Sequence, residues 1–275
     1  MAATLSVSIV SYQPEIDRLR QTLRTLCASL GHAKMKGLLD SARISIVDNG
    51  PGTGFVERLR QLLEEEIGSR FEREERSDHG NVGYGRAHNL VLLASSAQYH
   101  LVLNPDVTLA EDAVAEALGF MRENPDVVIL SPAVRGPDGE AEYLCKRYPA
   151  LLDLALRGFA PAALKGMFRE RLARYEMRDL PQDAPSRDVP LVSGAFMFCR
   201  RAAIAQIGGF SGAFFLYFED FDLSLRAAAR GSLAFVPSVR IVHHGGYAAR
   251  KGRRHLLLFV RSVFTFYRRH GWSWL

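Results

Sequence analysis

The chain has 275 residues, of which 48% are hydrophobic and 24% are charged, and this composition is ordinary for a globular protein. Its length allows one large α/β domain or two small ones. The net charge of +5 suits anionic partners such as a diphosphate or an acidic membrane surface. Nucleic acid is not among the expected partners, because the sequence has no zinc pattern, recognition-helix signature or RNP-type aromatic motif.

Short β-branched runs alternate with segments of helical periodicity in the first half of the chain. Gly31 is expected to end the first helix. The alternation predicts an α/β fold with a mostly parallel central sheet flanked by helices. The predicted strands are 5–11, 42–50, 99–104 and 127–132, and the predicted helices lie at about 15–30 and 54–67 and within 81–96 and 105–121.

Residues 150–188 interrupt this pattern. They contain several prolines and a basic middle, KGMFRERLARYEMR, and we predict an irregular insertion with one helix. Strand character resumes in VPLVSGAFMFCRR at 189–201 and again within LAFVPSVRIVHHGG at 233–246.

Polar residues follow three of the predicted strands, in Ser11-Tyr12, Asp48-Asn49-Gly50 and Asn104-Pro105-Asp106. Ligands of parallel sheets bind beyond the carboxyl ends of the strands, so these residues predict a cleft. Asp48 either accepts hydrogen bonds from a base or ribose or simply suits the turn. Asp106 either binds a divalent cation, Mg²⁺ or Mn²⁺, or caps the following helix.

Two further motifs also have a functional and a structural interpretation. GNVGYG precedes a helix and could approach a phosphate, but it is neither a Walker loop nor a dinucleotide fingerprint and favours a loop-and-cap role. His243 and His244 follow a strand, and adjacent strand residues point to opposite faces, so at most one of them faces a given site. That imidazole is either a metal ligand or a structural hydrogen-bonding group.

Three carboxylates follow the aromatic run FFLYF. A helix from about Asp220 to Gly231 puts Asp222 four residues before Arg226, which predicts an ion pair. Glu219 and Asp220 lie at the N-terminus of this helix, where the helix dipole stabilises anions. They are therefore either capping residues or cleft carboxylates able to act as a general base.

Eight motifs occur in one order between about residues 5 and 270, and together they resemble the family 2 glycosyltransferases, inverting enzymes with the GT-A fold. The motifs are SIVSYQ, IVDNG, GNVGYGRAHN, LVLNPDV, LVSGAFMFCRR, IGGF, FLYFEDFDLSLRAAARG and VHHGG. The subgroup that they resemble is the bacterial rhamnosyltransferases of surface-polysaccharide assembly, lipopolysaccharide included. The resemblance implies transfer of a sugar from a dTDP- or UDP-linked donor, with dTDP-rhamnose expected, to a saccharide or lipid-linked saccharide. It also implies a divalent cation, Mg²⁺ or Mn²⁺.

The resemblance assigns roles to matching positions. Asp220 would be the catalytic base, supported by Glu219. Asp106 and His243 would bind the metal, with His244 as the alternate, and Asn104 replaces the first aspartate of the family's DXD motif. The nucleotide-sugar-binding residues would be Ser11, Tyr12, Asp48, Asn81, Gly83, Asn89, Asn104, Asp106 and Gly194.

The resemblance further implies one GT-A catalytic domain over residues 1–249. Its nucleotide-binding half would end at about residue 132, and its acceptor half, 133–249, would include the insertion. Residues 250–275 follow as a separate segment, and their basic ends and helical spacing of apolar residues predict an amphipathic helix. This helix either packs on the domain or contacts an anionic membrane.

Three cysteines, Cys27, Cys145 and Cys199, lie far apart without a CxxC pair, which indicates a reduced, cytoplasmic compartment. The first residues lack the features of a signal peptide. Arg261 interrupts the apolar run HLLLFV, so no stretch reaches the length of a membrane span. We therefore expect a cytoplasmic protein that is soluble or peripheral at the inner face of the membrane.

Two other functions are compatible with parts of the sequence. A metal-dependent nucleotidyltransferase would need a strongly basic phosphate loop near the N-terminus, which SIVSYQPEID lacks. A non-enzymatic basic module that binds membrane or nucleic acid would leave the NPD, FED and HH motifs unexplained.

Overall fold

The computed structural model describes residues 2–50, 55–245 and 252–274. Twelve strands and ten helices lie in this part of the chain. The strands are β1 (Ala3–Ser11), β2 (Leu39–Asp48), β3 (Glu72–Arg76), β4 (Tyr99–Leu103), β5 (Val107–Leu109), β6 (Val127–Arg135), β7 (Ala141–Glu142), β8 (Cys145–Lys146), β9 (Ser186–Arg187), β10 (Leu191–Val192), β11 (Phe196–Arg200) and β12 (Ser232–His243). The helices are α1 (Ile16–Met35), α2 (Val56–Glu66), α3 (Tyr84–Leu92), α4 (Ala113–Glu123), α5 (Leu151–Phe159), α6 (Ala162–Met167), α7 (Arg169–Tyr175), α8 (Arg201–Gln206), α9 (Glu219–Ala227) and α10 (Arg253–His270).

One large sheet runs through the molecule in the order β3-β2-β1-β4-β11-β6-β12-β5. Strands β3, β2, β1 and β4 are parallel to one another, and β12 is parallel to β6, whereas β11 is antiparallel to both of its neighbours. The predicted α/β fold with a mostly parallel sheet is confirmed. The carboxyl ends of β1, β2 and β4 lie at one edge, where Ser11 pairs with Asp48.

The two faces of the sheet bury separate apolar clusters. On one face, α1, α2 and α4 contribute leucines such as Leu23, Leu62 and Leu118, each at most 2% exposed. On the other face, Leu92, Ile204, Phe210 and Leu223 pack from the α3, α8 and α9 side. Every residue of β4 and every residue of β1 except Thr4 is buried, so both strands are covered on both faces of the sheet.

Two predicted helix ends and the predicted number of helices in the insertion are wrong. The first helix continues through Gly31 to Met35, because Ala33 is still buried in the core, and Gly37, with φ 68°, follows its end. Helix α9 ends at Ala227 rather than at Gly231. The insertion contains three short helices instead of one, and Pro161, which precedes α6, separates that helix from α5.

Helix α10 packs against the rest of the chain through an aromatic cluster. Phe266 and Tyr267 are fully buried, and they pack with Phe214 and Phe218 from the segment before α9. The Tyr267 hydroxyl donates to the Pro149 carbonyl oxygen at 2.7 Å. Among the described residues, no helix has the length and apolar character required to cross a membrane.

Candidate active site

The strand-end residues form the floor of the candidate site. Ser11 is fully buried, and its hydroxyl has no hydrogen-bond partner among the described residues. Asp48 lies beside it, and its Oδ1 accepts the Gly50 backbone N–H at 3.0 Å, as expected for an aspartate in a turn. Tyr12 follows Ser11 and is 53% exposed. A buried serine, a carboxylate and an exposed aromatic ring therefore meet at one edge of the sheet.

Asn49, which the sequence did not single out, connects this edge to the glycine-rich loop. Its Oδ1 accepts the Val82 N–H at 3.0 Å, and its Nδ2 donates to Asn81 Oδ1 at 3.1 Å. Asn81 Oδ1 also accepts the Gly83 N–H at 3.1 Å. The two asparagines thus fix the loop in front of α3 against the end of β2.

Gly83 allows a close backbone contact between this loop and the aromatic segment. Its φ is 88°, and a Cβ at this position would clash with the Phe215 carbonyl oxygen. The next residue, Tyr84, donates its backbone N–H to that same oxygen at 3.0 Å. A glycine is required here because two segments of backbone meet.

Tyr84 is a second residue that the sequence did not single out. Its hydroxyl lies 2.7 Å from the Gly194 carbonyl oxygen and 2.9 Å from Asn104 Oδ1. Burial raises the pKa of this phenol, and the carboxylates of Glu219, Asp220 and Asp106 raise it further. Tyr84 therefore lies close enough to both Asp106 and the Glu219–Asp220 pair for their charges to raise its pKa.

The Asn89 side chain is hydrogen-bonded to the backbone of a distant residue. Its Nδ2 donates to the Phe210 carbonyl oxygen at 2.8 Å, and its Oδ1 accepts the Phe210 N–H at 2.9 Å. A Cβ at Gly209 would clash with the same amide. Both ends of the Asn89 amide are therefore hydrogen-bonded to the backbone of Phe210, and its role in nucleotide-sugar binding stays a prediction.

Asp106 and His243 come together because β5 and β12 are paired. His243 is opposite Val107, the residue after Asp106, and its Nε2 lies 3.6 Å from Asp106 Oδ1. That oxygen is buried and has no hydrogen-bond partner among the described residues. The Gly245 Cα lies beside both groups, where a Cβ would clash with Asp106 Oδ2. The His244 ring instead lies 3.3 Å from the Thr108 hydroxyl.

Glu142 holds the other side of the His243 ring. Its Oε2 lies 3.2 Å from His243 Nδ1, so the imidazole stands between two carboxylates. Burial lowers the pKa of His243, but Asp106 and Glu142 outweigh burial and leave it raised. Burial likewise raises the pKa of Asp106, but His243 leaves it lowered. Glu142 is a third residue that the sequence did not single out.

Asp220 is positioned by two backbone N–H groups. Gly194 donates to its Oδ2 at 2.8 Å and Phe221 to its Oδ1 at 2.9 Å. Tyr217 and Phe218, directly before α9, have φ values of 72° and 67°, which non-glycine residues rarely adopt. This unusual backbone turns the start of α9 toward Gly194 and Tyr84.

The buried Glu219 and the half-buried Asp220 form a pair of adjacent carboxylates. Burial raises the pKa of Glu219 to about 8, with a further contribution from the charge of Asp220. Burial also raises the pKa of Asp220, but its backbone hydrogen bonds oppose this shift. Glu219 Oε2 is buried and has no hydrogen-bond partner among the described residues. The backbone N–H groups therefore favour the negative charge of the pair on Asp220, and burial without such hydrogen bonds favours the proton on Glu219.

Asp222 has a structural role, and its predicted ion pair with Arg226 is confirmed. Asp222 is fully buried, and its Oδ2 accepts from Arg226 Nε at 2.7 Å. Its Oδ1 lies 2.9 Å from His270 Nε2 and 3.6 Å from Arg269 Nε on α10. This carboxylate links the helix that carries Asp220 to the C-terminal helix.

Comparisons with known proteins identify the family and the fold of the chain. The model of a family described as Glycosyl transferase family 2 matches residues 6–208. An N-acetylglucosaminyl-diphospho-decaprenol L-rhamnosyltransferase from Mycobacterium tuberculosis is 30% identical over 207 residues, which are 70% of this chain and 66% of that protein. The chain thus spans slightly less than two thirds of that relative's length.

Solved structures share the fold. The mannosyltransferase PcManGT from Pyrobaculum calidifontis, in complex with GDP-Man and Mn²⁺, is similar with a TM-score of 0.64 and 17% identity over 98% of this chain and 65% of that chain. GalNAc-T7 with UDP, GalNAc and Mn²⁺ is similar with a TM-score of 0.63 and 15% identity over 96% of this chain and 48% of that chain. These likenesses confirm the predicted GT-A fold, and the family match confirms the resemblance found in the sequence. The chain belongs to glycosyltransferase family 2.

Proposed function

We propose that this glycosyltransferase moves a sugar from a nucleotide-sugar donor to a saccharide or lipid-linked saccharide acceptor, with inversion at the anomeric carbon. The observation that carries the proposal is the geometry of Asp220. Its carboxylate is half-buried at the end of the sheet, is held by the N–H groups of Gly194 and Phe221, and has a neighbour in Glu219 whose pKa burial raises to about 8. A general base needs such a fixed, ionised carboxylate within reach of the acceptor hydroxyl.

We propose dTDP-rhamnose as the donor and cell-surface polysaccharide, lipopolysaccharide included, as the product. The relative from Mycobacterium tuberculosis supports this, because its name describes an L-rhamnosyltransferase and a decaprenol-linked sugar. Ser11, Tyr12, Asp48, Asn81 and Gly83 would line the nucleotide pocket. A lipid-linked acceptor would place the enzyme in the cytoplasm with peripheral contact at the inner face of the membrane.

The proposal includes a divalent cation, Mg²⁺ or Mn²⁺, held by Asp106 and His243. The residues fit such an ion, since a carboxylate and an imidazole are suitable ligands and Asp106 Oδ1 is buried without a hydrogen-bond partner in the described part of the chain. Gly245 keeps the space beside both groups free of a side chain. When bound, the cation would stabilise the negative charge that develops on the departing nucleoside diphosphate.

The chemistry assigned to the chain's own residues is a single displacement. Asp220 accepts the proton of the acceptor hydroxyl while that oxygen bonds to the anomeric carbon and the bond from this carbon to the diphosphate breaks. Attack from the face opposite the leaving group gives inversion. Glu219 keeps its own proton, so that only one negative charge stands beside the acceptor. The Tyr84 hydroxyl contacts the Gly194 carbonyl oxygen and Asn104 Oδ1, and its assigned role is to hold these two donor-binding residues in place.

A panel of nucleotide sugars tests this function. The purified chain is incubated with Mn²⁺ and dTDP-rhamnose, UDP-glucose, UDP-GlcNAc or GDP-mannose, and its Tm is measured. Binding to the native state raises Tm, so dTDP-rhamnose should give the largest increase. If no nucleotide sugar changes Tm, the proposed function is wrong. If EDTA leaves sugar transfer unchanged, the metal assignment to Asp106 and His243 is wrong.

A further inference from the structure

The positive charge of the chain is concentrated at its C-terminal end. After Asp222 the sequence contains ten Lys and Arg residues and no Asp or Glu, whereas the whole chain has 35 and 30. The first 222 residues therefore carry 25 basic and 30 acidic residues, so they are net acidic. The net charge of +5 arises entirely from the last 53 residues, which include α10.

Helix α10 has an inner face that is fully used by the protein. Phe266 and Tyr267 are buried, and Ser262 donates its hydroxyl to the Leu216 carbonyl oxygen at 2.8 Å. His270 contacts Asp222. Of the two roles that the sequence left open for this helix, packing on the domain and membrane contact, the first is therefore observed. The side of α10 that faces away from the domain makes none of these contacts.

The opposite side of α10 carries a continuous apolar stripe. Leu256, Leu257, Val260 and Phe264 lie on it, and Trp272 and Trp274 extend it beyond the helix; these six side chains are 45–71% exposed. The Phe264 and Trp272 ring centroids are 5.9 Å apart, and the Trp272 and Trp274 rings stack with centroids 5.6 Å apart. We call these six residues the α10 outer face. Exposure of so many large apolar side chains in one patch indicates an interaction surface.

A row of cations borders this face. Arg254, Arg261 and Arg268 are exposed and lie seven residues apart, a spacing that drifts by only about 20° around a helix at each step. Their side chains form no ion pair with any carboxylate in the described part of the chain. The guanidinium groups therefore stand beside the apolar stripe with their charge uncompensated.

We propose that the α10 outer face docks on an anionic lipid bilayer. A helix with an apolar stripe, an arginine-rich border and tryptophans at its end has the composition of an interfacial helix, in which the apolar side chains enter the headgroup boundary and the cations meet anionic lipids. A second copy of this chain fits the surface less well, because it offers no carboxylate to the arginine row: an antiparallel pairing of the α10 outer face would bring two arginine rows together, and residues 223–275 contain no Asp or Glu.

This placement links the membrane to the site. The inner face of the same helix holds Leu216 and Asp222, on either side of Glu219 and Asp220. A helix with its side chains is about 10–12 Å across, so the catalytic carboxylates would lie about one helix diameter above the lipid surface. The link between membrane docking and catalysis rests on the proposed function. A lipid-linked acceptor would present its sugar about one helix diameter above the lipid surface, near Glu219 and Asp220.

Vesicle sedimentation without any nucleotide sugar tests the docking surface. The full chain is mixed with phosphatidylcholine vesicles containing 30% phosphatidylglycerol or none, at roughly 0.1 M salt. We expect the full chain to bind the anionic vesicles, and the double variant Leu257→Glu/Phe264→Glu to bind at least about 10-fold more weakly. The triple variant Arg254→Gln/Arg261→Gln/Arg268→Gln should lose the preference for phosphatidylglycerol. Met35→Glu is the matched control, since Met35 is also an exposed apolar residue at a helix end, and it should bind like the parent chain.

Failure of the full chain to bind anionic vesicles would overturn the proposal, and so would equal binding by the double variant and Met35→Glu. A dimer in light scattering that the double variant dissociates, without vesicle binding by the parent chain, would instead assign the face to a second copy. All substituted residues are exposed, so folding is checked by Tm alone. Tm shifts with nucleotide sugars, measured separately on the double variant, distinguish a failed surface from a failed enzymatic function.

Discussion

Glu219 and Asp220 are neighbours in the sequence, but the protein surrounds them with different groups. Asp220 accepts hydrogen bonds from Gly194 and Phe221, whereas Glu219 Oε2 is buried without a partner among the described residues. Hydrogen bonds to a carboxylate favour its anion, and burial without them favours the acid. The pair therefore titrates in two steps, in which Asp220 ionises first and Glu219 ionises at about pH 8.

This division predicts a bell-shaped pH dependence of kcat/KM. Activity should rise with pH as Asp220 ionises and fall above about pH 8, because ionised Glu219 adds a second negative charge beside the base. Glu219→Gln has the same size and stays neutral, so its alkaline limb should disappear while its acid limb remains. Initial rates between about pH 5 and 10 measure both limbs. An alkaline limb that is the same in the variant would contradict the assignment of the proton to Glu219.

Glu142 provides a prediction about metal binding. A carboxylate that holds the second nitrogen of a ligating histidine typically changes metal affinity by about 10–100-fold. We expect Glu142→Ala to weaken Mn²⁺ binding by about that factor, measured by the EPR signal of free Mn²⁺ during titration. Glu140→Ala is the control, because Glu140 lies two residues away on the same hairpin and is exposed. Equal Mn²⁺ affinity in the two variants would show that Glu142 does not position His243.

At the scale of secondary-structure elements, a buried polar network joins β1, β4 and α3. Ser6 Oγ lies 2.6 Å from His100 Nδ1, and Ser8 Oγ lies 2.8 Å from His100 Nε2 and 2.6 Å from His88 Nδ1. Burial lowers the pKa of His100 to about 3, and burial also lowers the pKa of His88 well below its usual value. Both imidazoles are therefore neutral in the folded protein.

This network predicts a loss of stability in acid. Between about pH 6.5 and 3 the unfolded chain protonates both histidines while the folded chain does not, so the free energy of unfolding decreases as pH falls through this window. Urea unfolding at about pH 7.5 and 5.5 measures the decrease. His100→Gln cannot titrate and should show a smaller decrease, although it is less stable at both pH values. An equal pH dependence in parent and variant would exclude His100 as its source.

Local sequence patterns predicted which strands and helices form more accurately than they predicted where those elements end. Short runs rich in apolar residues predicted β1 and β4, and both strands are buried within the sheet. The prediction that Gly31 ends α1 is wrong, because the low helix propensity of glycine is outweighed by the stabilisation gained from burying Ala33. The three helices of the insertion are too short for a periodic pattern to reveal them.

At the scale of the whole molecule, the candidate site depends on pairs that are far apart in the sequence. Tyr84 and Gly194 are 110 residues apart, and His243 and Glu142 are 101 residues apart. The strand-end motifs predicted which edge of the sheet carries the site, because the carboxyl ends of parallel strands share an edge. Asn49 and Tyr84 lie within motifs of the sequence, but no local pattern predicts the contacts of Tyr84, Asn49 or Glu142, since those partners are brought together only by the fold.

The connection between α9 and α10 also belongs to this scale. Asp222 contacts Arg226 within α9 and His270 on α10, so the C-terminal helix supports the element that begins with Glu219 and Asp220. Deleting residues 250–275 would expose Phe266 and its buried partners and would perturb this support. Point substitutions on the exposed side of α10 therefore separate membrane contact from packing, which a truncation cannot do.

The central claim is that Asp220 is the base of a sugar transfer, and Asp220→Asn tests it most directly. The amide has nearly the same shape, so donor binding, measured as the Tm increase with nucleotide sugar and Mn²⁺, should stay near that of the parent chain. Loss of a general base costs about 10²–10⁴-fold in rate, and kcat for transfer should fall by at least the lower value. Unchanged donor binding with a kcat reduced to this extent is the predicted result. A variant that transfers sugar at the parent rate would contradict the account.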